Sequence, residues 1–223
     1  MIPVFLRAAA LAAPLLLAAC GGASSENGPR AGTETTQSAA ATSKLQDMAL
    51  GSPDAPVTVI EYASLTCPAC AAFHEQVFPT IKEKYVDTGK VRLIFREFPT
   101  PPAEFAYIGS VLARCASERG GSEAYVAVAG TLYRTQRSWI FGEDPKAELL
   151  KIAAQAGMDE PAFDACLKRQ DLIDAINKGA EEASQKYNIN ATPTFLVNGE
   201  KATLRSFDDL ETRIEEALAK KAK

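Results

Sequence analysis

Cys67 and Cys70, separated by Pro68 and Ala69, form the stretch of this 223-residue sequence with the clearest chemical capacity. An apolar run over residues 57–62 precedes them and a helical pattern follows them, and a C-x-x-C pair at a strand-to-helix junction is typical of a redox dithiol. Thiol–disulfide exchange needs a thiolate, and the free N–H groups at a helix N-terminus lower the pKa of a cysteine placed there. We therefore expect Cys67 to be the reactive thiolate and Cys70 to be the more buried, resolving thiol.

The elements that must position this pair alternate between strands and helices, except in the middle of the chain. Between residues 103 and 187 the pattern predicts only helices, which Gly and Pro residues separate. Asn198-Gly199 is a strong signal for a tight hairpin after a short apolar strand. The predicted order is strand 57–62, a helix from 68 to about 85, strand 91–98, helices 103–119, 122–136, 146–157, 161–168 and 170–187, strand 194–197, a strand over about 201–204 and a helix to about 220.

This order resembles the thioredoxin fold with an inserted all-helical subdomain, as in the DsbA family of thiol:disulfide oxidoreductases. The resemblance covers about residues 52–219. It rests on Glu61 six residues before Cys67, on the C-P-A-C segment, and on the T-P-T-F-L-V-N-G segment over residues 192–199. It implies an α/β fold of the thioredoxin type and disulfide exchange with protein substrates, in which Cys67 forms the mixed disulfide and Cys70 resolves it. No cofactor and no metal ion is expected.

Three further residues receive roles from the same resemblance. Pro193 is expected to form a cis peptide bond opposite the dithiol and to block metal capture by the two thiols, while the backbone of Thr192 pairs with an extended substrate. An acid at the position of Glu61 lies beneath the dithiol in the family and assists proton transfer, and a carboxylate in an apolar strand is costly unless it is neutral or paired. The alternatives are an ordinary turn at Thr192-Pro193 and a solvent-facing strand end at Glu61. The partner of Glu61 is left open between Arg92 and Arg96.

Two positions near the dithiol bear on its potential and its protonation. Many relatives carry His in the place of Ala69, and that His is credited with stabilising the reduced thiolate. Its absence predicts a dithiol that is less oxidising than the DsbA value of about −120 mV. His74, the only histidine, lies four residues after Cys70 on roughly the same helix face. It is interpreted as a surface or hydrogen-bonded helix residue rather than as a catalytic one.

The other three of the five cysteines divide into an N-terminal one and a distant pair. Cys115 and Cys166 lie on apolar faces of two different predicted helices. In an exported protein they are expected to form a structural disulfide that closes a loop of about 50 residues, which would stabilise the fold. Two free buried thiols are the alternative.

Residues 1–19 have the composition of an export signal. Arg7 precedes an apolar run over residues 8–19, and this run is shorter than the roughly 20 residues needed to cross a bilayer. The L-A-A-C segment that ends at Cys20 resembles the lipobox of bacterial lipoproteins, which implies cleavage before Cys20 and its acylation. A simple signal peptide that leaves Cys20 free is the alternative. Gly21, in the place of an Asp, makes the outer membrane the default anchoring site in a cell with two membranes.

Charge and domain pattern limit the functions that fit. A net charge of −4 and an isoelectric point near 5.2 argue against a nucleic-acid partner. The sequence favours an exported oxidase recycled by a DsbB-like membrane protein. The alternatives are an isomerase or reductase served by a DsbD-like protein, and a copper-binding lipoprotein that uses two thiolates. The predicted regions are a lipoprotein signal peptide at 1–19, a flexible tether at 20–45, two halves of a thioredoxin-like domain at 46–102 and 188–223, and a helical insertion at 103–187.

Overall fold

A mixed sheet of five strands lies at the centre of the computed structural model, which describes residues 45–221. The strands are β1 (Met48–Leu50), β2 (Val57–Ala63), β3 (Val91–Glu97), β4 (Thr194–Val197) and β5 (Glu200–Lys201). Across the sheet they follow the order β1-β3-β2-β4-β5. The central strands β2 and β3 pair in parallel, as strands joined by a helical crossover do, and the other pairs are antiparallel.

Helices cover both faces of this sheet, so its central strands are apolar at successive positions. Leu93 and Phe95 belong to the larger core on one face, whereas Ile60, Tyr62 and Ile94 form a smaller core on the other face. The helices are α1 (Pro68–Gln76), α2 (Phe78–Ile81), α3 (Ala103–Arg134), α4 (Gln136–Phe141), α5 (Pro145–Gln155), α6 (Glu160–Cys166), α7 (Gln170–Tyr187) and α8 (Asp208–Lys221). The fold is therefore the predicted thioredoxin-like α/β fold with additional helices.

Four residues separate the end of the central strand β2 from the start of the helix α1. Cys67 has extended backbone angles, φ −80° and ψ 120°, and is the N-cap of this helix. Pro68 follows in the first turn, where its missing N–H leaves no hydrogen bond unmade. The prediction of one helix from 68 to about 85 is wrong, because the helix breaks at Val77 and continues as α2 and a π-helical turn over Lys82–Val86. Pro79 explains the break, since it cannot donate the hydrogen bond that an uninterrupted helix requires.

Residues 103–187 are helical and include no strand, as the sequence predicts. The predicted division at Gly120-Gly121 is confirmed. Both residues leave helical geometry, and Gly121 has a φ of 64°, which favours glycine. Asp144 and Asp159 cap α5 and α6 by accepting a hydrogen bond from the backbone N–H three residues later. None of the helices between residues 45 and 221 is long and apolar enough to cross a membrane.

The chain returns to the sheet through the predicted hairpin. Asn198 and Gly199 have φ angles of 50° and 85°, as a type I′ turn requires. The second strand of the hairpin is shorter than predicted and ends at Lys201. The short strand β1 has no counterpart in the sequence prediction, whose first strand is 57–62, because pairing with β3 rather than local pattern defines it. Cys20, the predicted signal peptide and nearly all of the predicted tether lie outside the described residues.

Candidate active site

Cys67 is half-buried where the loop after β2 meets α1. Its backbone N–H donates a hydrogen bond of 3.0 Å to the carbonyl oxygen of Ser64. Its thiol donates to the carbonyl oxygen of Thr192, with 3.2 Å between Sγ and oxygen. The structure therefore brings the first cysteine of the C-x-x-C pair into direct contact with the residue before Pro193, which is 125 residues later in the chain.

The surroundings of Cys67 stabilise its thiolate and lower its pKa from 9.0 to about 5. The largest cause is a hydrogen bond from the Cys70 thiol. The Thr192 side chain and the backbone N–H groups of Ala69 and Cys70 add donors, while partial burial acts in the opposite direction. The backbone donors expected from the helix N-terminus thus contribute to the lowered pKa, but the partner thiol contributes most.

Cys70 has the opposite environment, one turn further along α1. The residue is completely buried. Burial is the main reason that the pKa of its thiol lies far above the ordinary value, and the hydrogen bond to Cys67 and the negative charge of Glu61 raise it further. One sulfur of the pair is thus held as a thiolate near neutral pH and the other as a thiol, which is the asymmetry that an attacking and a resolving cysteine need.

The peptide bond between Thr192 and Pro193 is cis. Both residues immediately precede β4, and β4 pairs with β2, the strand that leads to the dithiol. The Thr194 hydroxyl donates a hydrogen bond of 2.7 Å to the carbonyl oxygen of Ala191 and closes this turn. Strand pairing thus explains how two segments far apart in sequence meet at Cys67.

Glu61 lies in the middle of β2 with none of its surface exposed. Its Oε2 atom is 3.0 Å from Nε2 of His74, a buried residue on α1. The expectation that Arg92 or Arg96 pairs with Glu61 is wrong. Parallel pairing places Arg96 opposite Tyr62, a residue of the other sheet face, and Arg96 bonds to Tyr62 and Asp47. His74 is buried and hydrogen-bonded, so the surface alternative for it is also wrong.

Hydroxyl groups hold the loop before the dithiol, and the sequence analysis missed them. The Ser64 and Thr66 hydroxyls are 2.9 Å apart. Thr66 donates a hydrogen bond of 3.0 Å to the carbonyl oxygen of Thr100, whose N–H donates at 3.2 Å to the Ser64 hydroxyl. These bonds connect the loop to the chain that leaves β3. The S-x-T spacing before Cys67 was the available signal in the sequence.

Gln136 is a second positioning residue that the sequence analysis missed. It is the first residue of α4, and its side-chain amide donates to the carbonyl oxygens of Leu65 and Cys67 at 2.8 and 3.0 Å. These residues are 71 and 69 positions away in the chain. A single Gln in a helical stretch carries no signal of such a role.

Cys115 on α3 and Cys166 on α6 are bonded as a disulfide, with their Cα atoms 6.1 Å apart. Both are buried. Cys67 and Cys70 are free thiols in this structure. Within residues 45–221 no three side chains of His, Cys, Asp or Glu come together as a group that could hold a metal ion.

Comparisons with known proteins place this chain in a family. Residues 43–216 match the family model described as thioredoxin. The chain is 31% identical to the probable disulfide bond formation protein D of Bacillus cereus, over 77% of this chain and 78% of that protein. It is 29% identical to a relative from Rickettsia felis, over 77% of this chain and 60% of that protein. The chain thus spans about 60% of the length of this curated relative.

A solved structure agrees with these sequence matches. The crystal structure of alpha-DsbA1 from Wolbachia pipientis aligns with a TM-score of 0.71 and 32% identity, over 79% of this chain and 93% of that one. The chain therefore belongs to the thioredoxin family and, within it, to the DsbA-like protein-disulfide oxidoreductases.

Proposed function

We propose that this protein is an exported thiol:disulfide oxidoreductase that exchanges disulfides with protein substrates through Cys67 and Cys70. The opposite protonation of the two thiols carries the proposal. The pKa of Cys67 is lowered to about 5, whereas burial keeps Cys70 protonated. A Cys67 thiolate is therefore present to attack near neutral pH, and its low pKa makes it a good leaving group in thiol–disulfide exchange.

The difference in pKa between the Cys67 and Cys70 thiols favours the oxidase direction. A substrate thiolate attacks the Cys67 sulfur of the Cys67–Cys70 disulfide, the disulfide breaks, and a mixed disulfide forms while Cys70 leaves and takes up a proton. A second substrate thiolate then attacks the substrate sulfur of the mixed disulfide and releases the Cys67 thiolate. The substrate gains one disulfide, and the protein gains two electrons. Because the surroundings stabilise the released thiolate, the reduced protein is favoured and oxidation of the substrate proceeds.

Thr192, Pro193 and Glu61 complete the proposed site. The backbone of Thr192 would pair with an extended substrate beside Cys67, which it contacts through its carbonyl oxygen. Pro193 would keep the two thiols from capturing a metal ion. Glu61 would exchange protons with Cys70, whose thiol is within the electrostatic influence of its carboxylate.

The pKa of Cys67 also indicates the reduction potential of the dithiol. Thioredoxin has an attacking cysteine with a pKa of about 7 and a potential of about −270 mV, and DsbA has values of about 3.5 and −120 mV. With a Cys67 pKa of about 5, we expect a potential between these two. Ala69 supports this placement, since its side chain provides no donor to the thiolate.

The experiment that tests the proposed function measures disulfide formation in a reduced, unfolded protein substrate such as reduced ribonuclease. The oxidised wild type is expected to introduce disulfides, and C67S and C70S are expected to fail. Substrate that stays reduced with wild type would refute the proposal.

Trapping the Cys67 and Cys70 thiols with an alkylating reagent in living cells decides the direction of disulfide exchange. An oxidised pair indicates an oxidase recycled by a DsbB-like partner, and a reduced pair indicates an isomerase or reductase served by a DsbD-like partner.

The proposed location is outside the cytoplasm, on a membrane, through a lipid on Cys20. The L-A-A-C segment supports cleavage before Cys20, and the polar residues up to about 45 support a tether. Several acyl chains would anchor the protein firmly, and the outer membrane is the default site. In fractionated cells, wild type is expected with the membranes and C20A in the soluble fraction or uncleaved. Wild type found in the soluble fraction would refute the anchor.

A further inference from the structure

Glu61 and His74 form a hydrogen-bonded pair in the protein interior. Glu61 is completely buried, and its Oε2 atom contacts Nε2 of His74 at 3.0 Å. Its other oxygen, Oε1, is also buried and has no hydrogen-bond partner among the described residues. A buried carboxylate with a free oxygen is costly to maintain. This oxygen is therefore available to accept a proton.

Neighbouring aromatic rings hold His74 in place. Its ring stacks on Tyr133 with 4.4 Å between centroids, and Phe78 and Phe95 lie at 5.1 and 5.8 Å. His74 is one helical turn after Cys70, so the same helix carries the buried thiol and the residue that binds the carboxylate. The imidazole can therefore present Nε2 to Glu61 in one fixed geometry.

The other charged groups around His74 have partners of their own. His74, Arg96, Glu97 and Tyr125 are among the residues that line a cavity of about 10 Å³. Arg114 holds Glu97 through both carboxylate oxygens at 2.5 Å, and Arg96 bonds to Asp47. The titratable or charged groups that face His74 or line this cavity are Glu61 on β2, Arg96 and Glu97 on β3, Tyr125 and Tyr133 on α3, and Cys70 on α1 itself. Of these, Glu61 is the one in hydrogen-bond contact with the imidazole.

We propose that His74 is a positioning residue for disulfide exchange, which donates a hydrogen bond from Nε2 to Glu61 and so holds this buried carboxylate as the proton acceptor for Cys70. The inference rests on the proposed function and adds a residue to it. In the step concerned, the Cys70 thiol gives its proton to Glu61, and the resulting thiolate attacks the Cys67 sulfur of a mixed disulfide. The Cys67–Cys70 disulfide forms, the bond to the substrate sulfur breaks, and the substrate leaves as a thiolate.

The test isolates this step with glutathione as the probe. Reduced protein is mixed with oxidised glutathione near pH 5, where Cys67 is already partly a thiolate and forms the mixed disulfide. The mixture is then brought to a series of higher pH values and quenched with acid. Mass spectrometry follows the conversion of the mixed disulfide into the internal disulfide. The variants are H74Q, H74N, H74L, E61Q and the double variant E61Q/H74N.

Gln and Asn form the matched pair, because the Gln amide reaches the position of Nε2 and the shorter Asn amide does not. H74N and H74L are expected to resolve the mixed disulfide about ten-fold more slowly near neutral pH, with the rising part of the rate–pH profile moved to higher pH. H74Q is expected to stay within about two-fold of wild type, because its amide restores the donor. In the E61Q background, H74N is expected to cause no further loss.

Three results would overturn the inference. They are a wild-type profile in H74N and H74L, a loss in H74Q equal to that in H74N, or an undiminished effect of H74N in the E61Q background. H74L covers the case in which H74N does not fold, since Leu suits the aromatic surroundings. Wild type that never exchanges with glutathione would instead refute the proposed function, so the two failures are distinguishable.

Discussion

Gln136 donates a hydrogen bond of 3.0 Å from its side-chain amide to the carbonyl oxygen of Cys67. The same amide group donates to the carbonyl oxygen of Leu65 at 2.8 Å. Two backbone carbonyls beside the dithiol therefore depend on one side chain from the helical part of the chain. The helices are thus part of the frame that holds the reactive cysteine.

The substitution Gln136→Met tests this frame. Met has a similar length and no donor, so both carbonyls lose their partner in a half-buried position. We expect the free energy of unfolding of the reduced protein to fall by about 1–3 kcal/mol, measured by urea denaturation. Gln185→Met is the control, because Gln185 is exposed on α7 and its side chain bonds to Glu181, which is exposed too. It should change stability by less than about 0.5 kcal/mol. Equal losses in both variants would contradict the role of Gln136.

Protonation of Cys67 makes the stability of the reduced protein depend on pH. The pKa of this thiol falls from 9.0 to about 5 on folding. Between these values the unfolded chain holds a proton that the folded chain has lost, so folded stability rises with pH and is lost as pH falls through about 5. The oxidised protein has no such thiol. From pH 5 to pH 8 we therefore expect the unfolding free energy of the reduced protein to increase relative to that of the oxidised protein.

Urea denaturation of both redox forms at several pH values measures this difference. Reduced C67S serves as the control, and its stability should lack the rise that belongs to the thiolate. A reduced–oxidised difference that stays constant across the range would show that Cys67 is not held as a thiolate.

Glu97 and Arg114 form an ion pair whose side chains are only 4% and 5% exposed. Glu97→Gln would leave the buried guanidinium without its charge partner. We expect a loss of about 3–5 kcal/mol in unfolding free energy. The matched control is Glu148→Gln, which breaks the exposed pair with Lys151 and should cost less than about 1 kcal/mol. Urea denaturation compares the two, and similar losses would argue against burial as the reason.

The disulfide between Cys115 and Cys166 closes a segment with a sequence separation of 51. In the chain-entropy account, its removal by C115A/C166A lowers the free energy of unfolding by roughly 4 kcal/mol. The bond joins α3 and α6 rather than the dithiol segment. Disulfide exchange through Cys67 and Cys70 is therefore expected to persist in the variant at urea concentrations below its unfolding transition. Urea denaturation and the ribonuclease assay check the two parts. Unchanged stability would mean that these thiols are unbonded in the wild type.

Local signals predicted those parts of the fold that local geometry controls. Asn198-Gly199 predicted the hairpin because few other residue pairs tolerate its two positive φ angles. Gly120-Gly121 predicted the break in the long helical stretch for a related reason. The position of the C-x-x-C pair at a helix N-terminus was equally predictable, since Pro68 suits the first helical turn. By contrast, β1 could not be predicted, because only its pairing with β3 makes it a strand.

The sequence by itself determined which cysteines can act and which fold presents them, because residue type, spacing and turn chemistry are local properties. Only the tertiary structure decided the partners. Strand pairing brings Thr192 to Cys67, the face of β2 selects His74 rather than an arginine for Glu61, and a helix begins with Gln136 beside the dithiol. Hydrogen bonds between residues far apart in the chain depend on the direction of side chains across packed elements. The periodicity of apolar residues in the sequence does not predict that direction.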